Sequence, residues 1–411
     1  VTDPTDPASA DAVPVTGPPL HGVRVVELGA WVAGPAAGAI LADWGADVIK
    51  VEPVTGDPIR LSAAIGPDGV NPPFELDNRG KRSVTLDVGD PEGREAFDAL
   101  LAGADVFVTN LRPPVLEGWG LGPEALLERF PRLVVATLSG FGDRGPDRDR
   151  PSYDIGGYWA RSGQADAHTV GGEPPMLRSA VGDHHAAMAL VGGLSAALYA
   201  RESTGRGRHV STSLLRNGWY GISQDAAFLS RIGVTMQVPR KQFTNPLFTT
   251  YPTRDGRWLW LLGLQPMRHW AEIATAVGHP EWLADERFAD TMAMRANAPA
   301  LNDLLDEAFQ TRTLEEWGPI LEEHGVWWEP VMTIAEVLVD DQLLAAGGMV
   351  TTPVADGTEV PIPASPVDFD GVSKVSTLPP PPLGAHTEEV LAEAGLTPEQ
   401  VALLRAHGVI A

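Results

Sequence analysis

In the first half of the chain, apolar residues fall into short runs separated by stretches of helix-like spacing. Val23-Arg-Val-Val-Glu-Leu28 reads as a buried strand, and Gly29-Ala-Trp-Val-Ala-Gly-Pro-Ala-Ala-Gly38 leads from it into a helix ending near Trp44. Pro35 suits that helix's first turn and Gly45 its stop. Asp47-Val-Ile-Lys-Val-Glu52 is a second strand, and this order implies a parallel pair with a right-handed crossover. Further strands are expected at residues 83–87, 105–110, 133–138 and 209–213, with a helix from Pro91 to about Leu101. A long, small-residue helix is expected after Asp183, ending at Gly205-Arg-Gly207. Such alternation predicts the α/β class, with a mostly parallel sheet covered on both faces.

Beyond about residue 225 the texture changes: aromatic residues and Met become frequent, and Trp258-Leu-Trp-Leu-Leu262 runs into Gly263-Leu-Gln265-Pro266. The expected organisation is a disordered Pro/Asp/Thr-rich tail (1–20), a large domain (21–227), a smaller α+β domain (228–335), and a linker returning to the large domain (336–411). Helices are expected near 267–277, 298–309, 388–393 and 398–407.

Charge narrows the partners. The 411-residue chain carries a formal net charge of −24, which argues against nucleic acid and against an anionic membrane surface. The only lysines are Lys50, Lys81, Lys241 and Lys374, so a bound phosphate would be met largely by Arg or by backbone N–H groups. There is no cysteine, which removes thiolate catalysis, disulfides and Cys-based zinc sites; no metal site is expected. No apolar run is long enough to span a bilayer, and the N-terminus lacks a secretory signal, so a cytoplasmic protein is expected.

Candidate chemistry centres on Asp183, in Met176-Leu-Arg-Ser-Ala-Val-Gly-Asp-His-His185. On local grounds it is an N-cap. The same carboxylate can also serve as a nucleophile, and the two readings are compatible, since a cap bond and the helix dipole both favour the ionised form. Glycines at 29, 34 and 38 do not fit the dinucleotide fingerprint G-x-G-x-x-G, although Glu52 ends the second strand. Asn78-Arg-Gly-Lys-Arg-Ser83 is a basic cluster that in isolation reads as a solvated turn. Asn110-Leu-Arg112 lies past a strand's carboxyl end, where open α/β sheets bind ligands.

Together these segments resemble the family III CoA-transferases of the CaiB/BaiF type, which include formyl-CoA and carnitine CoA-transferases and are related to the α-methylacyl-CoA racemases. The resemblance rests on Gly45-Ala-Asp-Val-Ile-Lys-Val-Glu52, Asn78-Arg-Gly-Lys-Arg-Ser83, Asn110-Leu-Arg-Pro113, Leu138-Ser-Gly-Phe-Gly142, Tyr153-Asp154, Gly182-Asp183 and Leu383-Gly-Ala-His-Thr387. It implies a Rossmann-like large domain built from both chain ends, an inserted smaller domain and an interlinked homodimer. It also implies an aspartyl nucleophile at Asp183, which moves CoA between an acyl-CoA and a free carboxylic acid through an anhydride and an enzyme–CoA thioester. Coenzyme A is then a substrate, and no permanently bound cofactor is expected.

The resemblance places positions facing the adenosine and phosphates of CoA at Val32, Ala33, Leu86, Asp87, Asn110, Leu111, Arg112 and Tyr153. Gly118 stands where many relatives carry a basic residue, and Val32 where formyl-CoA transferases often carry Gln. A Gly-run lid is replaced by Leu262-Gly-Leu-Gln265, and Trp327-Trp328 adds bulk to the acid pocket. In the racemases a His thirty residues before the Asp and a Glu move protons; here those positions are Tyr153 and Gln265. An amide accepts no proton and a tyrosine is a poor base near neutral pH, so transfer is favoured. The alternatives are a racemase or epimerase, held open by His184 and His185, and a non-catalytic CoA-thioester-binding protein.

Overall fold

The computed structural model describes residues 17–62, 70–235, 239–354, 357–370, 372 and 378–411. Most of the expected disordered tail, residues 1–16, lies outside them. The chain divides into two compact units: Val1–Asp166, Pro175–Ala227 and Leu344–Ala411 form the first, and Ala167–Pro174 with Phe228–Leu343 the second.

Short apolar runs become strands in the first unit: β1 (Arg24–Leu28), β2 (Asp47–Glu52), β3 (Lys81–Thr85), β4 (Val106–Thr109), β5 (Val134–Ser139) and β6 (His209–Ser213). They form one parallel sheet in the order 3-2-1-4-5-6. Alternate side chains face opposite layers. Val25, Val48, Val106 and Val134 pack with helix α1 (Ala33–Asp43) and with the Val181–Thr204 helix. Val26, Ile49, Val84, Phe107 and Val135 pack with the helices Pro91–Ala102, Thr387–Glu393 and Pro398–Ala406. Burial on both faces explains why β1, β4 and β5 read as near-continuous apolar runs.

One strand departs from its expected span. β3 begins at Lys81 rather than Ser83, because charged side chains at its start find partners. Lys81 Nζ lies 2.7 Å from Glu27 and donates to Pro35 O at 2.8 Å, while Arg82 pairs with Asp47 at 2.7 Å and Glu393 at 2.9 Å. The solvated-turn reading of Asn78-Arg-Gly-Lys-Arg-Ser83 is therefore overturned, since Asn78, Arg79 and Lys81 are all buried. The outer edge of β3 is covered by the returning C-terminal segment. His386 N–H donates to Ser83 O at 2.9 Å, Thr85 N–H to Thr387 Oγ1 at 3.1 Å and Asp87 N–H to Val409 O at 2.8 Å. An open sheet edge would otherwise invite pairing with another chain.

The second unit has a three-stranded antiparallel sheet: β7 (Thr250–Pro252), β8 (Trp258–Leu261) and β9 (Trp328–Pro330). Its core joins Tyr251, Leu259 and Leu261 to Trp270, Phe309 and Trp317 from the helices Pro266–Ala276, Ala298–Phe309 and Leu314–Glu323.

Candidate active site

Strand order reverses between β1 and β4, so the loops leaving their carboxyl ends diverge around a crevice. Asn110, just past β4, clamps the loop that follows β1: its Oδ1 accepts from Ala30 N–H at 2.9 Å, and its Nδ2 donates to Ala30 O at 2.7 Å. A Cβ on Gly29 or Gly34 would meet that amide at 3.0–3.1 Å, which accounts for the small residues here better than a dinucleotide fingerprint does.

Trp31, in the clamped loop, holds φ +66° and donates its N–H to Asp57 Oδ1 at 3.1 Å. Asp57 accepts from Lys50 Nζ at 2.9 Å, and Lys50 also donates to Glu27 Oε1 at 3.2 Å and Gly29 O at 3.3 Å. Burial opposes the charge on Lys50, but Glu27, Asp57 and Glu52 outweigh it and raise its pKa. This buried ion network sets the shape of the loop.

Asp183 sits in the first turn of the Val181–Thr204 helix, but it does not cap it. The N-cap is Ala180, in the left-handed conformation at φ 65° and without a side-chain cap bond. Asp183 is the third helical residue, and no described residue makes a hydrogen bond or ion pair to its carboxyl. The expectation that cap and dipole keep it ionised is also overturned. Burial first, and then the Asp154 carboxylate, push its pKa up to about 7; His184 pulls the other way and Asp77 adds to the rise.

The helix start is pressed against a π-helical turn, Ile155–Ala160, a local widening often found at functional sites. A Cβ on Gly182 would stand 2.6 Å from Tyr158 Cβ and Cγ and 2.9 Å from Asp154 Cβ, so only glycine allows this approach. Asp154 Oδ1 accepts from Ile155 N–H at 2.7 Å, whereas its Oδ2 is buried with no hydrogen-bond partner. The neighbouring histidines have other engagements. His184 Nε2 meets buried Asp77 Oδ1 at 3.1 Å, which raises its pKa despite burial, and His185 stacks on Tyr158 with its Nδ1 2.6 Å from Val181 O. Neither is placed as the base partner that a racemase reading needs.

The remaining sequence candidates sort by what they can offer. Tyr153 is 63% exposed and meets Trp31 edge to face at 5.8 Å, so Trp31 joins the site, where sequence reasoning missed it. Ala33 and Leu86 point into the core, so a ligand would meet these two through backbone, and Val32, partly buried, packs against the core. The first-turn amides of α1 are of the type that lacks an intrahelical acceptor. Asp87 is exposed and accepts from Gly89 N–H at 2.9 Å. Arg112 is exposed, donating to Asp149 O at 3.3 Å, and Leu111 borders a cavity of about 510 Å³ whose walls include Thr137, Ser139, Arg144 and His209. Gln265 and Trp327 belong to the second unit: Gln265 precedes the Pro266–Ala276 helix without capping it, and Trp327 is 53% exposed with its ring 4.9 Å from that of His269.

Among the described residues, no helix is long and apolar enough to cross a membrane, and no cluster of three or more His, Asp or Glu is placed to hold a metal ion.

Comparison with known proteins converges on one family. The model for CoA-transferase family III matches residues 20–387. The chain is 33% identical to (R)-2-hydroxy-4-methylpentanoate CoA-transferase of Clostridioides difficile, covering 93% of this chain and 97% of that one. It is 31% identical to the succinyl-CoA–D-citramalate CoA-transferase of Chloroflexus aurantiacus, covering 95% and 98%. Among solved structures, a CaiB/BaiF family protein from Brucella suis superposes with a TM-score of 0.80 at 30% identity, over 92% of this chain and all (100%) of that one. Fold and near-full-length similarity agree: the chain is a CoA-transferase and belongs to CoA-transferase family III.

Proposed function

We propose that this enzyme moves CoA between an acyl-CoA donor and a free carboxylic acid by covalent catalysis on Asp183. The observation that carries this reading is a carboxyl at a helix start that no described residue bonds, half-sheltered beside a glycine that keeps its surroundings close. In its ionised form Asp183 attacks the thioester carbonyl; the C–S bond breaks, giving an acyl-aspartyl anhydride and CoA thiolate. The thiolate attacks the aspartyl carbonyl and expels the donor acid, leaving an enzyme–CoA thioester. An acceptor carboxylate then reverses both steps. No general base is needed, because the attacking carboxylate carries no proton to be removed.

The crevice between the β1 and β4 loops, with the cavity beside Leu111, offers room for the nucleotide end of CoA. Val32, Ala33, Leu86, Asp87, Asn110, Leu111, Arg112 and Tyr153 remain its proposed contacts, Asn110 acting through the loop it clamps. Gln265 and Trp327 are assigned to the acid pocket. A cytoplasmic homodimer, whose interface would cover exposed Tyr199, Trp219 and Tyr220, completes the proposal.

Asp183→Ala should abolish exchange between an acyl-CoA and a free acid. Hydroxylamine added during turnover should leave a hydroxamate on residue 183, seen by peptide mass spectrometry. An active Ala variant, or a protein that binds acyl-CoA and forms no adduct, would sink the mechanism.

A further inference from the structure

Coenzyme A brings a diphosphate into a chain of net charge −24, and the positions carried over from the resemblance do little to balance it. Only Arg112 among them is a cation, its guanidinium donates to Asp149 O at 3.3 Å, and Gly118 stands where many relatives carry a basic residue. We propose that the diphosphate of CoA is held by Arg150 and Arg161, in a groove on the outer side of the π-helical turn. The inference rests on the reading of Asp183 as nucleophile and of Tyr153 as a CoA contact, and deepens it by naming the cations.

The groove encloses about 410 Å³, and its walls include Phe141, Arg150, Tyr153, Ile155 and Arg161; no carboxylate lines it. Both guanidinium groups lie over one ring. The Cζ of Arg161 is 4.9 Å and that of Arg150 5.6 Å from the Phe141 centroid, distances at which a cation is drawn to an aromatic face. Phe141 therefore fixes where the two positive groups sit. Arg161 meets Asp147 through Nη1, which leaves its Nε and Nη2 for a ligand. Among the described residues, no hydrogen bond or ion pair engages the Arg150 guanidinium. Its neighbour Arg148, by contrast, is tied to Glu117 and Asp149. Contacts between Arg and phosphate are charge-assisted and often bidentate, so two such forks side by side suit a diphosphate.

The groove also lies where the middle of a CoA molecule has to pass. The chain from Asp143 to Tyr153 borders two spaces: Asp143, Arg144 and Arg148 line the cavity beside Leu111 proposed for the nucleotide end, and Arg150 to Tyr153 line the groove. The groove's floor is the π-helical turn. Ile155, Gly156 and Ala160 line it, while Asp154 and Tyr158 from the same stretch pack against Gly182, at the start of the helix that carries Asp183. The diphosphate is the part of CoA that joins the nucleotide to the pantetheine arm and its thiol, and the groove connects the places assigned to those two ends. Its wall is closely packed. A Cβ on Gly140 would stand 2.5 Å from Ser152 Cβ and one on Gly157 2.9 Å from Gly140 O, and Gly142 N–H donates to Ser139 Oγ at 2.9 Å. The Leu138-Ser-Gly-Phe-Gly142 motif thereby acquires a reason: its turn closes on Ser152 and presents Phe141 to the groove.

The test is titration calorimetry of CoA and of 3′-dephospho-CoA, both of which carry the diphosphate, with the full-length protein. Arg150→Ala and Arg161→Ala should each weaken both compounds at least fivefold and by matching factors, and Arg150→Lys should recover most of the loss. Binding to the wild type should weaken with added salt more steeply than binding to Arg150→Ala, a difference that mere loss of packing would not produce. Affinity unchanged in Arg150→Ala, or lowered with the salt dependence of the wild type, overturns the proposal. So does a loss seen with CoA and absent with 3′-dephospho-CoA, which would assign Arg150 to the 3′-phosphate, and so does a wild type that binds neither compound. Hydroxamate at residue 183 reads the transfer mechanism separately: its presence beside any of these failures removes only the diphosphate assignment, and its absence overturns the underlying mechanism and the inference with it.

Discussion

The Asp183 carboxyl has its pKa raised from 3.8 to about 7, and Asp154 is the second cause after burial. The ionised form is the nucleophile, so kcat/KM for acyl-CoA should rise with pH and level off above 7, losing about tenfold per pH unit on the acid side. Asp154→Asn removes the neighbouring charge and keeps the shape, including an oxygen for the Ile155 N–H. Burial is the larger cause of the rise and the Asp154 charge the next, so removing that charge should bring the midpoint below 7. At pH 6, where the wild-type carboxyl is about 9% ionised, activity relative to each enzyme's own plateau should be at least about twofold higher in the variant. The assay is an initial-rate pH profile of label exchange from pH 5 to 9, with kcat/KM reporting the free enzyme. A midpoint that stays in place or moves upward in the Asn variant would refute the assigned coupling between the two acids.

Two further outcomes follow from the same geometry. Because the folded-state pKa of Asp183 lies above its unfolded value, its contribution to stability is full below about pH 4 and is lost as pH rises through about 7. Asp183→Asn should therefore raise stability at pH 8 by up to about 4 kcal/mol and have little effect at pH 4, read as a Tm gain at the higher pH only; an equal shift at both would count against it. Gly182→Ala places a methyl 2.6 Å from Tyr158 Cβ. Overpacking of this kind costs about 1–3 kcal/mol, and displacement of the first turn should lower kcat at least tenfold. A variant with wild-type kcat would show that the close approach is not needed for chemistry.

How much was legible in the sequence depended on whether a residue's environment was local. The apolar runs of β1, β2 and β5 sit in a sheet buried on both faces, so their composition alone marked them to within a residue or two. Lys81 defeated that logic. Its charge argued for solvent, and only its approach to Glu27, fifty-four positions upstream, makes its burial tolerable. Asp183 was found by its motif, but its role as a helix cap was misjudged by the distance from residue 180 to residue 183, a boundary that Ala180 sets through a left-handed backbone no propensity would assign to alanine. Its raised pKa was equally invisible, because Asp154 reaches it through the fold. Trp31 carried no signal at all: an aromatic in a glycine-rich loop says nothing about its φ or about Tyr153, 122 positions away.

The bonds between β3 and the returning C-terminal segment also bear on how the protein is made. Thr85 and Thr387 are separated by 302 positions, and the whole second unit is translated between them. At about 5–20 residues per second, a ribosome needs roughly 15–60 s to deliver the partner. Throughout that interval the nascent sheet has an uncovered outer strand, and the face that Val390 and Val401 will seal stays open. Local helices form within microseconds, so the delay is one of supply rather than of search. The time that the chain spends without its C-terminal segment is therefore set by the pace of translation.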